Sequence, residues 1–85
     1  MTSSLAPTHP MTNLVLDCRG MNCPMPIVRV SRAVKEIAVG DTLTVTADDP
    51  SFEADITAWV RMTGQHILSF TAAGLDRTAV IERRK

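Results

Sequence analysis

The run Thr42-Leu-Thr-Val-Thr-Ala47 constrains the fold more than any other stretch. Its apolar residues, Leu43, Val45 and Ala47, alternate with three threonines. Successive side chains on a strand point to opposite faces, so one face of this strand is buried and the other is wet. A sheet covered by helices on both faces would carry near-continuous apolar strands instead. Any helices in this chain are therefore expected on one face of the sheet only.

Two stretches carry a helical period. After Cys23, residues Ile27, Val30, Ala33, Val34 and Ile37 fall on one side, with Arg29, Arg32, Lys35 and Glu36 on the other. This helix is expected to start at Pro24 and to stop at Gly40. The second is expected from Asp49-Pro50, an acidic cap followed by proline at the first helical position. It runs through Phe52, Ile56, Trp59, Val60 and Thr63 and ends at Gly64. Leu14, Leu16 and Cys18 alternate with Val15 and Asp17, which reads as a first strand. Residues 66–72 read as a strand with Leu68 and Phe70 on one face, and residues 77–83 as a last strand. The facing of that last strand stays open, because Val80 and Ile81 are both apolar. The order is βαβαββ. The expected fold class is α+β: a two-layer sandwich, with a mixed four-stranded sheet under two helices on one face.

Residues 1–12 are polar, proline-bearing and without period, and are expected to form a disordered leader before a single domain at 13–85. His9 lies in that leader and is set aside as a ligand or catalyst. Nine acidic residues balance nine basic ones. That balance removes the usual electrostatic argument for direct nucleic-acid binding. No stretch approaches the ~20 apolar residues of a membrane span, and no basic start with an apolar run suggests a signal peptide. Two cysteines cannot build a secreted disulfide framework. A cytoplasmic protein with reduced thiols and no membrane partner is expected. Asp48, Asp49, Glu53 and Asp55 cluster, and Arg83-Arg84-Lys85 forms a basic tail. The simplest reading is a helix start that favours acids plus a solvated tail, the alternative being a docking patch.

Both cysteines lie in Cys18-Arg-Gly-Met-Asn-Cys-Pro-Met-Pro-Ile-Val28. If Cys23 is the helix cap, Pro24, Met25 and Pro26 are the first three helical residues. Proline is harmless there, because those N–H groups lack intrahelical partners in any case. Only the Met25 N–H then remains at the second and third positions to meet residue 23. A thiol accepts weakly at a cap, whereas a thiolate or the terminal sulfur of a persulfide faces the positive helix end as an anion. The helix end contributes about 0.3–1 kcal/mol, enough to acidify the thiol modestly. Gly20 shapes the loop, and Arg19 and Arg29 are close enough in sequence to add to the effect if they point toward Cys23. The other reading of Cys23 is a small buried cysteine that happens to precede a proline-started helix. Cys18 shares the strand face of Leu14 and Leu16 and is expected to pack, its alternative being a second thiol that closes a disulfide with Cys23. The C-x4-C spacing lacks a second ligand pair, so no metal site is read. His66 is the only candidate base in the ordered part, and no glycine-rich phosphate loop is present, so no cofactor is read.

Leu16-Asp17, Gly20, Cys23-Pro24-x-Pro26, the helix ending at Gly40, the Asp48-Asp49-Pro50 start and Gly64-x-His66 together resemble the TusA (SirA-like) sulfurtransferases. The resemblance runs from about residue 14 to the C-terminus. It implies the same βαβαββ sandwich, and it implies that Cys23 carries sulfur as a persulfide. It further implies a relay: a cysteine desulfurase or rhodanese as sulfur donor, and an acceptor cysteine on a DsrE-type or similar protein. Transfer-RNA thiolation, cofactor sulfuration and sulfur oxidation are the routes implied. Met21 stands where leucine is usual, and Cys18 lies outside the motif. Two other functions compete. A non-catalytic regulatory or RNA-binding module would carry a basic, aromatic-bearing sheet face, whereas the wet face here is threonine-rich and the chain has no tyrosine. A dithiol redox protein would use Cys18 and Cys23 together.

Overall fold

The computed structural model describes residues 12–85. The expected leader, His9 included, lies outside the described residues except for Thr12. Strand β1 (Asn13–Asp17) is followed by helix α1 (Met25–Ala33), β2 (Thr42–Ala47), α2 (Phe52–Thr63), β3 (His66–Ala73) and β4 (Asp76–Glu82). The sheet order is β1-β2-β4-β3. β1 and β2 are parallel, which requires a crossover, and α1 supplies it. β4 pairs antiparallel with both β2 and β3, so the sheet is mixed.

The alternation of β2 is realised residue by residue. Leu43, Val45 and Ala47 are fully buried, while Thr42, Thr44 and Thr46 stay partly exposed. The core gathers on the buried side: Leu16 from β1 and Cys18 just after it, Val30 and Ala33 from α1, Phe52, Ile56, Trp59 and Val60 from α2. The two helices also touch each other, as they must when both lie on one face. β4 resolves its open facing in the same way. Ala79 and Ile81 are buried, and Val80 lies opposite Thr44 on the open face.

Three local expectations are corrected. Leu68 and Phe70 do not share a face. A bulge between Ile67 and Ser69 inserts an extra residue, so Ile67 and Phe70 face the core opposite Ile81 and Ala79, and Leu68 is 49% exposed. The first helix does not run to Gly40. It ends at Ala33, tightens into a 3₁₀ turn at Val34–Glu36, and leaves through extended Ile37. The buried Asp41 carboxylate ties the exit down, accepting the Ala38 N–H at 3.0 Å and the Thr12 N–H at 3.1 Å. The second helix begins at Phe52 with Ser51 at the cap, later than Asp49-Pro50 suggested. Its far end is as expected: Gly64 has φ +76, a left-handed backbone that favours glycine.

Candidate functional site

Parallel pairing of β1 and β2 builds the site. Asp17 at the end of β1 lies beside Thr46 at the end of β2. The loops leaving both strands therefore emerge side by side, one leading to α1 and the other to α2. The second loop receives the first through two carboxylates. Asp48 Oδ1 accepts the Gly20 N–H at 3.0 Å, and Asp49 Oδ2 accepts the Cys23 N–H at 2.7 Å. Gly20 has φ +80, a conformation that a side chain would strain, and this lets its N–H turn to Asp48. Asp49 also accepts the Ser51 N–H on Oδ1 at 3.2 Å and the Ser51 hydroxyl on Oδ2 at 3.0 Å. These donors, the Ser51 N–H first, hold the Asp49 carboxyl below the ordinary carboxylate range.

Cys23 is exposed and stands one residue before the cap, not at it. Pro24 is the cap residue, joined to Cys23 by a cis peptide bond, and its carbonyl accepts the N–H groups of Ile27 and Val28 at 3.1 Å. The Met25 N–H, expected to meet residue 23, donates to the Asn22 carbonyl at 2.8 Å. The thiol therefore caps nothing. Pro26 is fully buried and anchors the first turn in the core, whereas Met25 is exposed.

The electrostatics are also the reverse of expectation. A hydrogen bond to Asp55 pushes the Cys23 thiol above its ordinary value, loss of water adds to this, and the Ser51 hydroxyl opposes it. The Asp55 and Asp49 charges push in the same direction as the hydrogen bond. The arginines do not counter them. Arg19 makes a two-pronged contact with Asp17, 2.9 Å at each prong, and lies 3.8 Å from Asp76. That pair holds Asp17 down at about 2. Arg29 acts on Cys18 and Asp17 rather than on Cys23.

Cys18 is fully buried, and its N–H extends the sheet ladder to the Thr46 carbonyl at 2.7 Å. Burial raises its thiol, with Arg29 partly offsetting. Both cysteines are free thiols. His66 opens β3 opposite Glu82, at the sheet edge away from β1, and is not among the groups acting on Cys23.

Between α1 and α2 a depression of about 300 Å³ adjoins the exposed thiol. Pro24, Ile27, Ala58, Trp59 and Met62 line it with apolar surface, and Asp55 is the one charged side chain in the lining. Cys23, Asp49 and Asp55 each place one donor atom within 4.8 Å of the others. This trio falls short of the four ligands of a structural zinc site.

Sequence reasoning treated Asp49 and Asp55 as acids favouring a helix start and did not single out Ser51. The Ser51–Asp55 spacing of one helical turn was legible; the contact of Asp49 with Cys23, 26 residues away, was not. Among the described residues no helix is long and apolar enough to cross a membrane.

Comparison with known proteins agrees with this architecture. The family described as Sulfurtransferase TusA matches residues 14–83. The sulfur carrier protein TusA of Pseudomonas entomophila is 39% identical over 62 residues, covering 68% of this chain and 78% of that protein. YrkF of Bacillus subtilis, provisionally named a sulfur carrier, is 39% identical over 61 residues, or 72% of this chain. The match covers only 33% of YrkF, so the chain spans about a third of that longer relative. A SirA-like protein from Desulfitobacterium hafniense has the same fold, with a TM-score of 0.74 at 19% identity over 85% of this chain and 99% of that one. With both the fold and the sequence pattern matched along nearly all of the described residues, the chain belongs to the TusA family of sulfur carriers.

Proposed function

We propose that this protein is a sulfurtransferase that takes sulfur onto Cys23 as a persulfide and relays it to a partner's cysteine. The observation that carries the reading is the contrast between its two thiols. Cys23 is exposed beside an apolar depression, and Cys18 is buried in the core. A carrier sulfur must be reached by two different proteins in turn, so an open site suits it better than a deep pocket. The donor is a protein that holds persulfide, of the cysteine desulfurase or rhodanese class, and the acceptor is a cysteine protein of the DsrE type.

Each transfer exchanges one sulfur–sulfur bond for another. The Cys23 sulfur attacks the terminal sulfur of the donor persulfide, and the donor thiol leaves. The acceptor thiol later attacks the terminal sulfur on Cys23, and the Cys23 thiol is regenerated. The pinned Cys23 N–H fixes the backbone from which the sulfur projects. A two-cysteine redox role is less well supported, since Cys18 would first have to leave the core. RNA stacking is also less well supported, because Phe52 and Trp59 are buried and Phe70 packs against the core rather than lying on the open sheet face. The test is incubation with a cysteine desulfurase and cysteine, followed by peptide mapping. Sulfur added at Cys23, and its disappearance when a cysteine acceptor is supplied, are the results expected. Sulfur found only at Cys18, or no sulfur at all, would end the proposal.

A further inference from the structure

Beside the reacting sulfur stand two carboxylates that are not equivalent. Asp49 receives two backbone N–H groups and the Ser51 hydroxyl, so its carboxylate is committed to holding the loop. No backbone N–H reaches the Asp55 carboxylate among the described residues. It accepts the Ser51 hydroxyl at 3.1 Å, and one of its oxygens lies within 4.8 Å of the Cys23 sulfur. The Ser51 hydroxyl has one proton and stands between two acceptors, so it links the pair without satisfying both. Asp55 also shares the lining of the apolar depression with Cys23, where an incoming sulfur would sit. Asp55 and Asp49, both from the α2 side, are the charged groups that raise the thiol; Arg29 on α1 acts at Cys18, and Arg19 is engaged by Asp17.

We propose that Asp55 is the catalytic group that takes the Cys23 thiol proton when sulfur arrives and returns it when sulfur leaves. This rests on the carrier reading of Cys23. On arrival the proton moves from the Cys23 sulfur to the Asp55 carboxylate. The Cys23 sulfur then bonds to the terminal sulfur of the donor persulfide. The donor S–S bond breaks, its electron pair stays on the donor sulfur, and that thiolate takes the proton from Asp55. Donor persulfide and Cys23 thiol become donor thiol and Cys23 persulfide, with no net oxidation. On departure the acceptor thiol gives its proton to Asp55 as it attacks, and the leaving Cys23 sulfur recovers it. A carboxylate within reach of the transferring proton is what general acid–base catalysis requires. It also explains how a thiol that is not acidified can work as a nucleophile.

The experiment uses glutathione persulfide as donor, which needs no protein docking, and follows sulfur uptake by mass spectrometry in wild type, Asp55→Asn and Asp55→Glu. Alkylation of Cys23 by iodoacetamide at pH 7 is followed in parallel. Removing the carboxylate frees the thiol to ionise, so Asp55→Asn should alkylate faster than wild type. Loss of the proton acceptor should nevertheless slow its sulfur uptake by at least about tenfold. Asp55→Glu should recover most of the uptake. If Asp55→Asn accelerates both reactions, or leaves uptake unchanged, Asp55 merely disfavours the thiolate and the proposal is wrong. If wild type alkylates at Cys23 yet takes up no sulfur, the carrier reading itself fails and takes this proposal with it. Circular dichroism of each variant shows whether a slow rate reflects loss of fold, and an unfolded Asp55→Asn leaves Asp55→Glu and Ser51→Ala to decide. A folded Ser51→Ala that keeps fast uptake, beside an Asp55→Glu slower by the same tenfold, would overturn the assignment.

Discussion

The two thiols of this protein lie five positions apart in one loop and live in opposite surroundings. Cys18 follows the parity of Leu14 and Leu16, turns into the core, and completes the ladder to Thr46. Cys23 comes after the Gly20 turn, is drawn across to α2 by Asp49, and faces solvent. Both thiols are raised above their ordinary value, yet for different reasons. Burial does it for Cys18, and a hydrogen bond to Asp55 does it for Cys23. Access and a nearby proton acceptor therefore separate the two sites, because acidity does not. The acidification expected of Cys23 at a helix end is therefore not what its surroundings supply.

The sharpest way to break the comparison is Cys23→Ser. Sulfur loading should vanish outright. Stability should stay within about 0.5 kcal/mol, since the thiol neither packs in the core nor caps the helix. Loading that reappears at Cys18, detected by peptide mapping, would erase the distinction between the two sites.

A smaller effect is expected at the tether. Asp49→Ala leaves the Cys23 N–H, the Ser51 N–H and the Ser51 hydroxyl to water. At this partly buried position the loss should cost about 1–2 kcal/mol in chemical denaturation. Sulfur loading should slow without being abolished, because the thiol remains and only its placement loosens. An unchanged loading rate would mean that Cys23 needs no fixed backbone.

Cys18→Ala should cost on the order of 1 kcal/mol, as a small truncation in a packed core. Loading of Cys23 should be intact. If loading falls while circular dichroism and the denaturation midpoint hold, Cys18 is a working partner and the two thiols belong to one mechanism.

The smallest effect is in alkaline stability. Each folded thiol is raised above the ordinary value of 9.0, so above that pH the unfolded chain has lost protons that the folded chain still holds. Unfolding then binds fewer protons in the product state, and stability falls as pH rises. The stabilisation is fully present below pH 9.0 and fades above it. Thermal melts between neutral and alkaline pH should show the decline, and it should shrink in Cys18→Ala and in Cys23→Ser. A decline identical in all three proteins would assign it elsewhere. Asp17 behaves in the opposite sense: its carboxyl is held down at about 2, so its contribution is present above 3.8 and is lost as pH falls toward 2.

Much of this was legible in the residue order, where the physics is local. Strand parity placed Leu43, Val45 and Ala47 inward, and it also placed Cys18 there. Helical spacing identified the buried stripe of α2, and Gly64 marked its end. A one-sided sheet followed from three threonines. The cysteine–proline pattern, with the glycine before it and the Asp-Asp-Pro after it, pointed to the family.

Other features depended on partners distant in the chain. The bulge in β3 arises because Ile67 and Phe70 must both meet β4 on the core side, and no alternation within β3 alone announces it. The cap moved from Cys23 to Pro24 as the Cys23 N–H found Asp49 and the Met25 N–H found Asn22. The reversal of the thiol's electrostatics came from the parallel pairing of β1 with β2, which sets the start of α2 against the start of α1. Residue order by itself determined the inward face of β2, the buried stripe of α2 and the inward turn of Cys18, because burial follows periodicity within a regular element, whereas Cys23 lies in a loop outside any such period. Tertiary structure alone decided what surrounds that cysteine, because charges act through space, and Asp49 and Asp55 reach it only after the sheet has formed.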